Sequence, residues 1–338
     1  MLYGAIDLHS RASQIRIVDE AGAVLRDRRV RTTRDRLVAV FAGADAVRIL
    51  VETGTESEWV AQALEAAGHE VIVADPNYAP MYGELRRRVK TDRRDVAALA
   101  EANRRGWYRP AYRRSAAQRA TTQVLGVRRQ VVKMRAETVV LVRSLLRQEG
   151  YRLPTGSAAR TPARLARLEV PAALRARLTP LVVAITQLTE QIVGLDAEVA
   201  TRAAADPVVT RLQTVPGVGA VVALTFRAQV DDVTRFGSAA QVSAALGLVP
   251  REDSSAERRH RGHITKAGPS VVRSLLVQAA WACWRSRHSG ALRRWADGVA
   301  SRRGRRIAVV GLARRLSRIL YALWRDETTF RPHVLMPS

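Results

Sequence analysis

The sequence predicts a mixed α/β domain at the N-terminus, then a long helical connector and a mostly helical C-terminal domain. Three observations carry this reading. Short apolar strands crowd the first 74 residues, at first alone and then alternating with helical stretches, the pattern of a sheet covered by helices. Residues 115–149 hold no proline and a single glycine, with apolar residues at helical spacing. Beyond residue 206 the chain again shows helical spacing, punctuated by glycine and proline at 216–219, 247–250 and 268–269.

The elements follow in order. Residues 2–8 and 14–18 read as strands, with a turn at Glu20-Ala21-Gly22, and residues 23–32 alternate apolar and basic as a third strand. Thr33 can cap a helix over 34–42. An apolar strand at Val47–Val51 precedes a helix over 56–67, and Glu70–Ala74 is a strand ended by Asp75-Pro76-Asn77. Residues 92–105 form a helix capped by Thr91 or Asp92, with Ala97, Ala98, Leu99 and Ala102 inward. The 115–149 helix would be a rod of roughly 50 Å. Gly150–Pro171 is a break, and residues 180–204 form a second long amphipathic helix. Two such helices suggest a coiled-coil hairpin or an oligomerisation arm. The expected divisions are 1–110, 111–205 and 206–330.

Composition narrows the function. Of 338 residues, 56 are basic and 31 acidic, for a net charge of +25. Residues 1–110 contribute +2 and residues 111–338 contribute +23. Arginine accounts for 53 of the basic residues, and it grips phosphate bidentately and stacks on bases. A surplus this large opposes compaction unless a polyanion screens it, which points to nucleic acid. The one cysteine, Cys283, excludes a disulfide framework and a cysteine-rich zinc site. With no run of about 18 apolar residues and no signal-peptide pattern before Asp7, a cytoplasmic protein without a membrane partner is expected.

Four carboxylates stand out. Asp7 ends the first strand and Glu52 follows Val47–Val51, both where a strand leaves the core. Asp92 and Asp95, three apart at a helix start, share a face. Taken singly, each is an ordinary strand-end, cap or surface acid. Together they would repel one another unless a divalent cation sat among them, and oxygen ligands favour Mg2+ or Mn2+. Such an ion polarises phosphodiesters.

Two further groups lie in the C-terminal part. Thr214-Val215-Pro216-Gly217-Val218-Gly219 before an apolar run has the look of a helix–hairpin–helix turn, in which Pro216, Gly217 and Gly219 would shape backbone N–H groups around a phosphate. A helix start without a ligand is the plain alternative. Next, Leu246-Gly247-Leu248-Val249-Pro250 leads through Ser254 and Ser255 to Arg258, Arg259, His260 and Arg261, then to Gly262-His263-Ile264-Thr265-Lys266-Ala267-Gly268. Serine among arginines suits a nucleophile attacking a phosphate, the arginines and Lys266 neutralising the charge. A solvated basic loop is the alternative. His260 and His263 lack a third soft ligand nearby. Trp281, Trp284, Trp295 and Trp324 read as core residues, and Arg302, Arg303, Arg305 and Arg306 as a phosphate-contacting run.

Gly4-Ala5-Ile6-Asp7, Val51-Glu52-Thr53-Gly54 and Lys90-Thr91-Asp92-Arg93-Arg94-Asp95 resemble the RuvC-like, ribonuclease-H-fold domain of the DEDD insertion-sequence transposases, the bridge-RNA-guided recombinases. Residues 246–268 resemble the second domain of that family, whose pattern is Gly-Leu-Val-Pro, a Ser-Gly-rich turn, then Gly-x-Ile-Ser-Lys-x-Gly. The resemblance implies that Asp7, Glu52, Asp92 and Asp95 are the metal-binding acids. By spacing it matches the nucleophilic serine to Ser255, with Ser254 as its neighbour. Ala256-Glu257 stand where the family has glycines, and Thr265 stands where it has a second serine. The resemblance further implies donor and target DNA as substrates, a non-coding bridge RNA as guide, a homo-oligomer from dimer to tetramer, and association with the nucleoid in action. Two rival classes are a metal-dependent nuclease or Holliday-junction resolvase using water, and a non-catalytic nucleic-acid binder.

Overall fold

β1 (Leu2–Asp7) is flanked by β2 (Ala12–Val18), antiparallel to it, and by β4 (Val47–Glu52), parallel to it. β3 (Val24–Arg31) pairs antiparallel with β2, and β5 (Glu70–Ala74) pairs parallel with β4, so the sheet runs β3-β2-β1-β4-β5. The computed structural model describes residues 1–44, 46–78, 81, 91–255 and 258–332, without the side chains of 252–261. It divides into two units, Met1–Arg113 and Arg114–Ser338.

Alternation along the strands sends side chains to opposite faces. Ile6, Ile15, Ile49 and Val51 pack on one face against α1 (Arg34–Phe41) and α2 (Ser57–Ala66). Ala5, Val18, Leu50 and Ala74 pack on the other face with Val96, Leu99, Ala100 and Ala102 of α3 (Asp92–Arg105). A central mixed sheet with helices on both faces is consistent with the ribonuclease-H-like expectation. The inner side of α3 is Val96, Leu99, Ala100, Ala102 and Asn103, while Ala97 and Ala98 are only half-buried. Asn103 fastens the helix to the sheet, its amide donating to the carbonyls of Gly4 and Arg48 at 2.8 Å each.

The sheet has two different edges. β3 is largely exposed and carries Arg26, Arg28, Arg29 and Arg31. Alongside β5 the chain returns as residues 109–111: Ala111 N–H donates to Val73 O at 2.7 Å, Asp75 N–H donates to Arg109 O at 2.9 Å, and Ala74 bridges to Pro110.

The second unit opens with α4 (Ala116–Gln148). Its cap, Ser115, accepts from Gln118 N–H and is itself held by Asp231, which takes the Ser115 N–H at 2.7 Å and hydroxyl at 2.8 Å. A short α5 (Thr161–Ala166) interrupts the expected break. α6 (Ala172–Ala205) starts eight residues before the expected 180 and contains Pro180. Leu174 and Leu178, buried against Val142 and Leu146, anchor the turns before the proline, which offsets its missing hydrogen bond. Arg128 pairs with Asp196, and Arg135 donates to the Thr189 hydroxyl at 3.3 Å, so α4 and α6 run antiparallel. Buried Leu178, Ile185, Ile192 and Val199 recur every seven residues along α6. On α4, Val127, Met134 and Leu141 recur at the same interval but are exposed.

By length and composition alone α6 is apolar enough to cross a membrane, a feature that counting uninterrupted apolar runs did not register. Arg175, Arg177, Glu190 and Asp196 interrupt its apolar residues, and the seven-residue repeat supplies a different reason for them.

α7 (Pro207–Leu212), α9 (Ala239–Ala245), α10 (Ser270–Arg285) and α11 (Gly290–Arg303) gather around α12 (Arg305–Arg325), and α8 (Ala220–Val230) packs against α7 and α10. Phe226, Leu276, Leu312, Leu316 and Leu320 are fully buried at their meeting. Within this helical unit the expected loop at 250–264 is instead a hairpin of β6 (Pro250–Ser255) and β7 (Arg258–Ile264). Its strands are too polar to announce themselves by alternation.

Candidate functional site

Each unit carries a candidate site, and each is described within its own unit. In the first, Ala5 and Leu50 are paired across β1 and β4 and face α3. Asp7 and Glu52 lie two residues further on with the same parity, so both leave the sheet ends on the α3 side. Gln14 is paired with Asp7 and Arg29 with Gln14, which extends the row across β2 and β3. On the same side α3 begins with Asp92 and Asp95 in its first turn.

Asp7 and Asp92 converge with a residue that sequence reading passed over, His9. Its Nε2 lies 3.3 Å from Asp7 Oδ2 and 3.9 Å from Asp92 Oδ1, and one ligand atom from each of the three falls within 4.8 Å of the others. Arg29 reaches Asp92 from β3 at 3.9 Å. Burial holds the Asp7 carboxyl above its usual range; His9 counteracts this, while the like charges of Asp92 and Asp95 add to it. The spacing Asp7-Leu8-His9 was the available signal, since residues two apart at a strand end share a side. A lone histidine carries too little weight to be chosen on that alone. Two carboxylates brought together against their mutual repulsion, with an imidazole beside them, fit a divalent cation. The convergent group is Asp7, His9 and Asp92; Glu52 ends the neighbouring strand β4, and Asp95 is felt at Asp7 through its charge.

The second site surrounds the hairpin. Two loops meet at its base, and each supplies a glycine the other requires. A Cβ on Gly247 would lie 2.1 Å from Ala267 O, and one on Gly268 would lie 2.1 Å from Ala245 O. Both glycines have positive φ, at 67° and 87°, and Lys266 between the loops also adopts φ 56°. Lys266 N–H donates to Gly247 O at 3.2 Å, and Thr265 N–H donates to Val249 O at 2.8 Å. The interlocked backbones project β6 and β7 from a fixed base. Across the strands Ser254 pairs with Arg259 and Ser255 with Arg258. The side chains of Ser254, Ser255, Arg258, Arg259 and Arg261 lie outside the described residues, as do Ala256 and Glu257. Beside the hairpin a cavity of about 1170 Å3 is lined by His263 and Lys266 from one side and by Arg303, Arg306 and Arg314 from the other. So part of the expected basic run does meet the hairpin.

Pro216, Gly217 and Gly219 lie between α7 and α8. Gly217 has φ 86°, and a Cβ there would fall 2.5 Å from Ala279 O and Cys283 N of α10, so it serves packing. Gly219 caps α8 with open space around its Cβ position. Trp281 and Trp284 stack on each other at 5.4 Å, and Trp324 is buried under the Arg227 guanidinium at 4.5 Å.

Comparison with known proteins agrees with both halves. Residues 5–150 match the DEDD transposase model of the IS110 type, and residues 209–296 match the model described as "Transposase IS116/IS110/IS902 family". Among curated relatives, the "Probable family 20 transposase" of Pseudomonas aeruginosa is 29% identical over 337 residues, covering 97% of this chain and 98% of its own. The "Transposase for insertion sequence element IS1111A" of Coxiella burnetii is 28% identical, with 96% of this chain and 90% of the relative covered. The "Transposase for insertion sequence element IS1328" of Yersinia enterocolitica is 27% identical, with coverages of 96% and 97%. With both domain models matched in order and relatives similar along nearly the whole length, the chain belongs to the IS110/IS116/IS902 family of insertion-sequence transposases.

Proposed function

We propose that this transposase cleaves and exchanges DNA strands through a covalent serine–DNA intermediate that depends on a divalent cation. The observation that carries the reading is the convergence of Asp7, His9 and Asp92 at a sheet end. In this reading Asp7, Glu52, Asp92 and Asp95 hold Mg2+ or Mn2+, and His9, beside Asp7 and Asp92, orients their carboxylates as an outer partner. The ion, when bound, supplies charge neutralisation at the scissile phosphate. Ser255 Oγ attacks phosphorus, a serine–phosphate bond forms, and the displaced deoxyribose oxygen takes up a proton. The phosphoester energy is retained, so a second strand can reverse the step without ATP. Arg258, Arg259, Arg261 and Lys266 counter the phosphate charge around the serine. Pro216, Gly217 and Gly219 belong to a helix–hairpin–helix-like element that contacts DNA backbone at Gly219.

The finer organisation belongs to the same reading. The chain divides into a RuvC-like domain over 1–110, a connector over 111–205 and a serine-bearing domain over 206–330. The connector is a coiled-coil hairpin, and the exposed Val127–Met134–Leu141 stripe seats a second copy, giving a dimer and then a tetramer. A bridge RNA pairs with donor and target DNA and selects the sites, so site sequence is not read by the chain itself. The protein acts in the cytoplasm, on the nucleoid.

A trapped-intermediate assay tests the chemistry. Wild-type protein stopped mid-reaction with labelled DNA and Mg2+ yields a species that survives denaturing gel electrophoresis. Ser255→Ala loses this adduct and the recombinant product while still binding nucleic acid, and Ser254→Ala does not. Cleavage with no adduct assigns the nucleophile to water instead.

A further inference from the structure

α9, α11 and α12 enclose a second cavity, of about 600 Å3, apart from the hairpin cavity although Gly311 and Arg314 line both. Trp295 of α11 forms one wall. Arg314, Arg315 and Arg318 of α12 form another, with Arg325 at its far end. Asp326 is the one carboxylate in the described lining, and it accepts from Arg325 Nε at 2.6 Å.

Half-burying three arginines side by side is costly. Arg318 lies four residues after Arg314 and three after Arg315, so its charge meets both on the helix surface. Burial, with the charge of Arg318 added, pushes the Arg315 guanidinium below its ordinary pKa. An anion in the cavity would relieve both effects.

A bare phosphate leaves most of this volume unfilled, while a duplex is too wide to enter. A single nucleotide suits a cavity of this size, because its phosphate meets the arginines and its base has a stacking partner. Arg315 lies over the Trp295 ring, 5.2 Å from the centroid. Gly311 keeps that wall in place, since a Cβ there would sit 3.1 Å from the indole. Trp295 and Arg315 both line the cavity, so a base entering it meets a cation–π pair on which it can stack.

We propose that this cavity binds an unstacked nucleotide of a single-stranded DNA or RNA segment, with its base on Arg315 and its phosphate among Arg314 and Arg318. The proposal rests on the nucleic-acid-binding reading above, but not on Ser255 or on the acids.

The test uses the full-length chain at fixed salt with three probes: a 12-nucleotide DNA strand, the same sequence as RNA, and the DNA duplex. Arg315→Lys keeps the charge and loses the plane. It weakens binding of at least one single strand about tenfold, and of the duplex less than twofold. Trp295→Ala has the same selectivity. If that variant loses its cooperative thermal transition, Arg315→Lys and Trp295→Phe carry the test. The arm with the larger loss tells whether the strand is DNA or RNA. Equal losses on single strand and duplex overturn the proposal in favour of a plain phosphate patch, and unchanged binding on all probes overturns it outright. Wild-type chain that binds no probe overturns the nucleic-acid reading itself, which separates the two failures.

Discussion

At the scale of single residues the acidic site is a balance of opposed charges. Asp7 has its carboxyl raised by burial and by Asp92 and Asp95. Replacing it with asparagine removes one repelled charge. Asp7→Asn should therefore melt higher than wild type in EDTA at pH 7–8, and the difference should fade as pH falls into the ordinary carboxylate range. Added Mn2+ should raise the melting point of wild type only. DNA cleavage by the variant should fall by more than the roughly 10–100-fold that loss of an outer partner costs a metal site, and His9→Ala should fall within that range. Normal cleavage by Asp7→Asn in Mg2+ would show the assignment to be wrong. A second histidine tests the packing of the sheet. His69 is tilted against Phe41 with 5.5 Å between ring centroids, accepts from Val47 N–H at 3.4 Å, and has its pKa lowered from 6.5 by burial. Above pH 6.5 it is neutral both folded and unfolded, so it adds no pH dependence. Below that value the unfolded chain takes up a proton that the folded chain refuses, and stability falls as pH drops towards the folded pKa. Thermal melts at pH 7.5 and 5.5 should show a smaller gap for His69→Gln than for wild type; an equal gap would mean that His69 is already charged in the fold.

At the scale of elements, two glycines of one turn separate close packing from open space. Gly217→Ala places a Cβ into the α10 backbone at positive φ and should cost about 2–5 kcal/mol, read as a lower denaturant midpoint. Gly219→Ala, in open space, should stay within about 1 kcal/mol. If the two variants lose equal stability, the close approach to α10 is not what fixes the turn. The elements also divide by how readable they were. Ile6, Ile15, Ile49 and Val51 alternate cleanly with residues of the opposite face, so the strands of the first sheet were legible from pattern. The β6–β7 hairpin was not, because Arg251 to Ser255 and Arg258 to His263 show no apolar alternation; what fixes its base is the meeting of Gly247 and Gly268. Pro180 masked the true start of α6, since its cost is offset by long-range packing of Leu174 and Leu178. In the site, Asp7, Glu52, Asp92 and Asp95 were legible as strand ends and a helix start. Arg29 was not, because only the row across β1, β2 and β3 reveals it as a neighbour of the acids, and His9, two residues past Asp7, gains weight only once α3 brings Asp92 to the same place.

At the scale of the whole molecule, charge is distributed by unit. Residues 111–338 carry +23 and residues 1–110 only +2. Affinity for nucleic acid should fall steeply with salt as arginine–phosphate contacts release counterions. In plots of log K against log salt, the 114–338 unit should carry most of the slope of the full chain and the 1–113 unit little. Equal slopes for the two units would make the asymmetry incidental to binding. Each unit has its own buried core, so the fragments can be compared as folded species once their thermal transitions are verified.

The two sheet edges have a consequence for how the protein survives crowding. An open strand edge is a template on which another chain can add, and from there aggregation can propagate. β3 presents four arginines along its exposed edge, so an approaching copy of the same edge meets like charge. β5 is already paired with residues 109–111, and Pro110 has no N–H to offer a newcomer. One edge is thus guarded by charge and the other by pairing at the end of β5. Under the proposed function, in which copies gather at high local density on one nucleic acid, these guards keep neighbouring sheets from fusing.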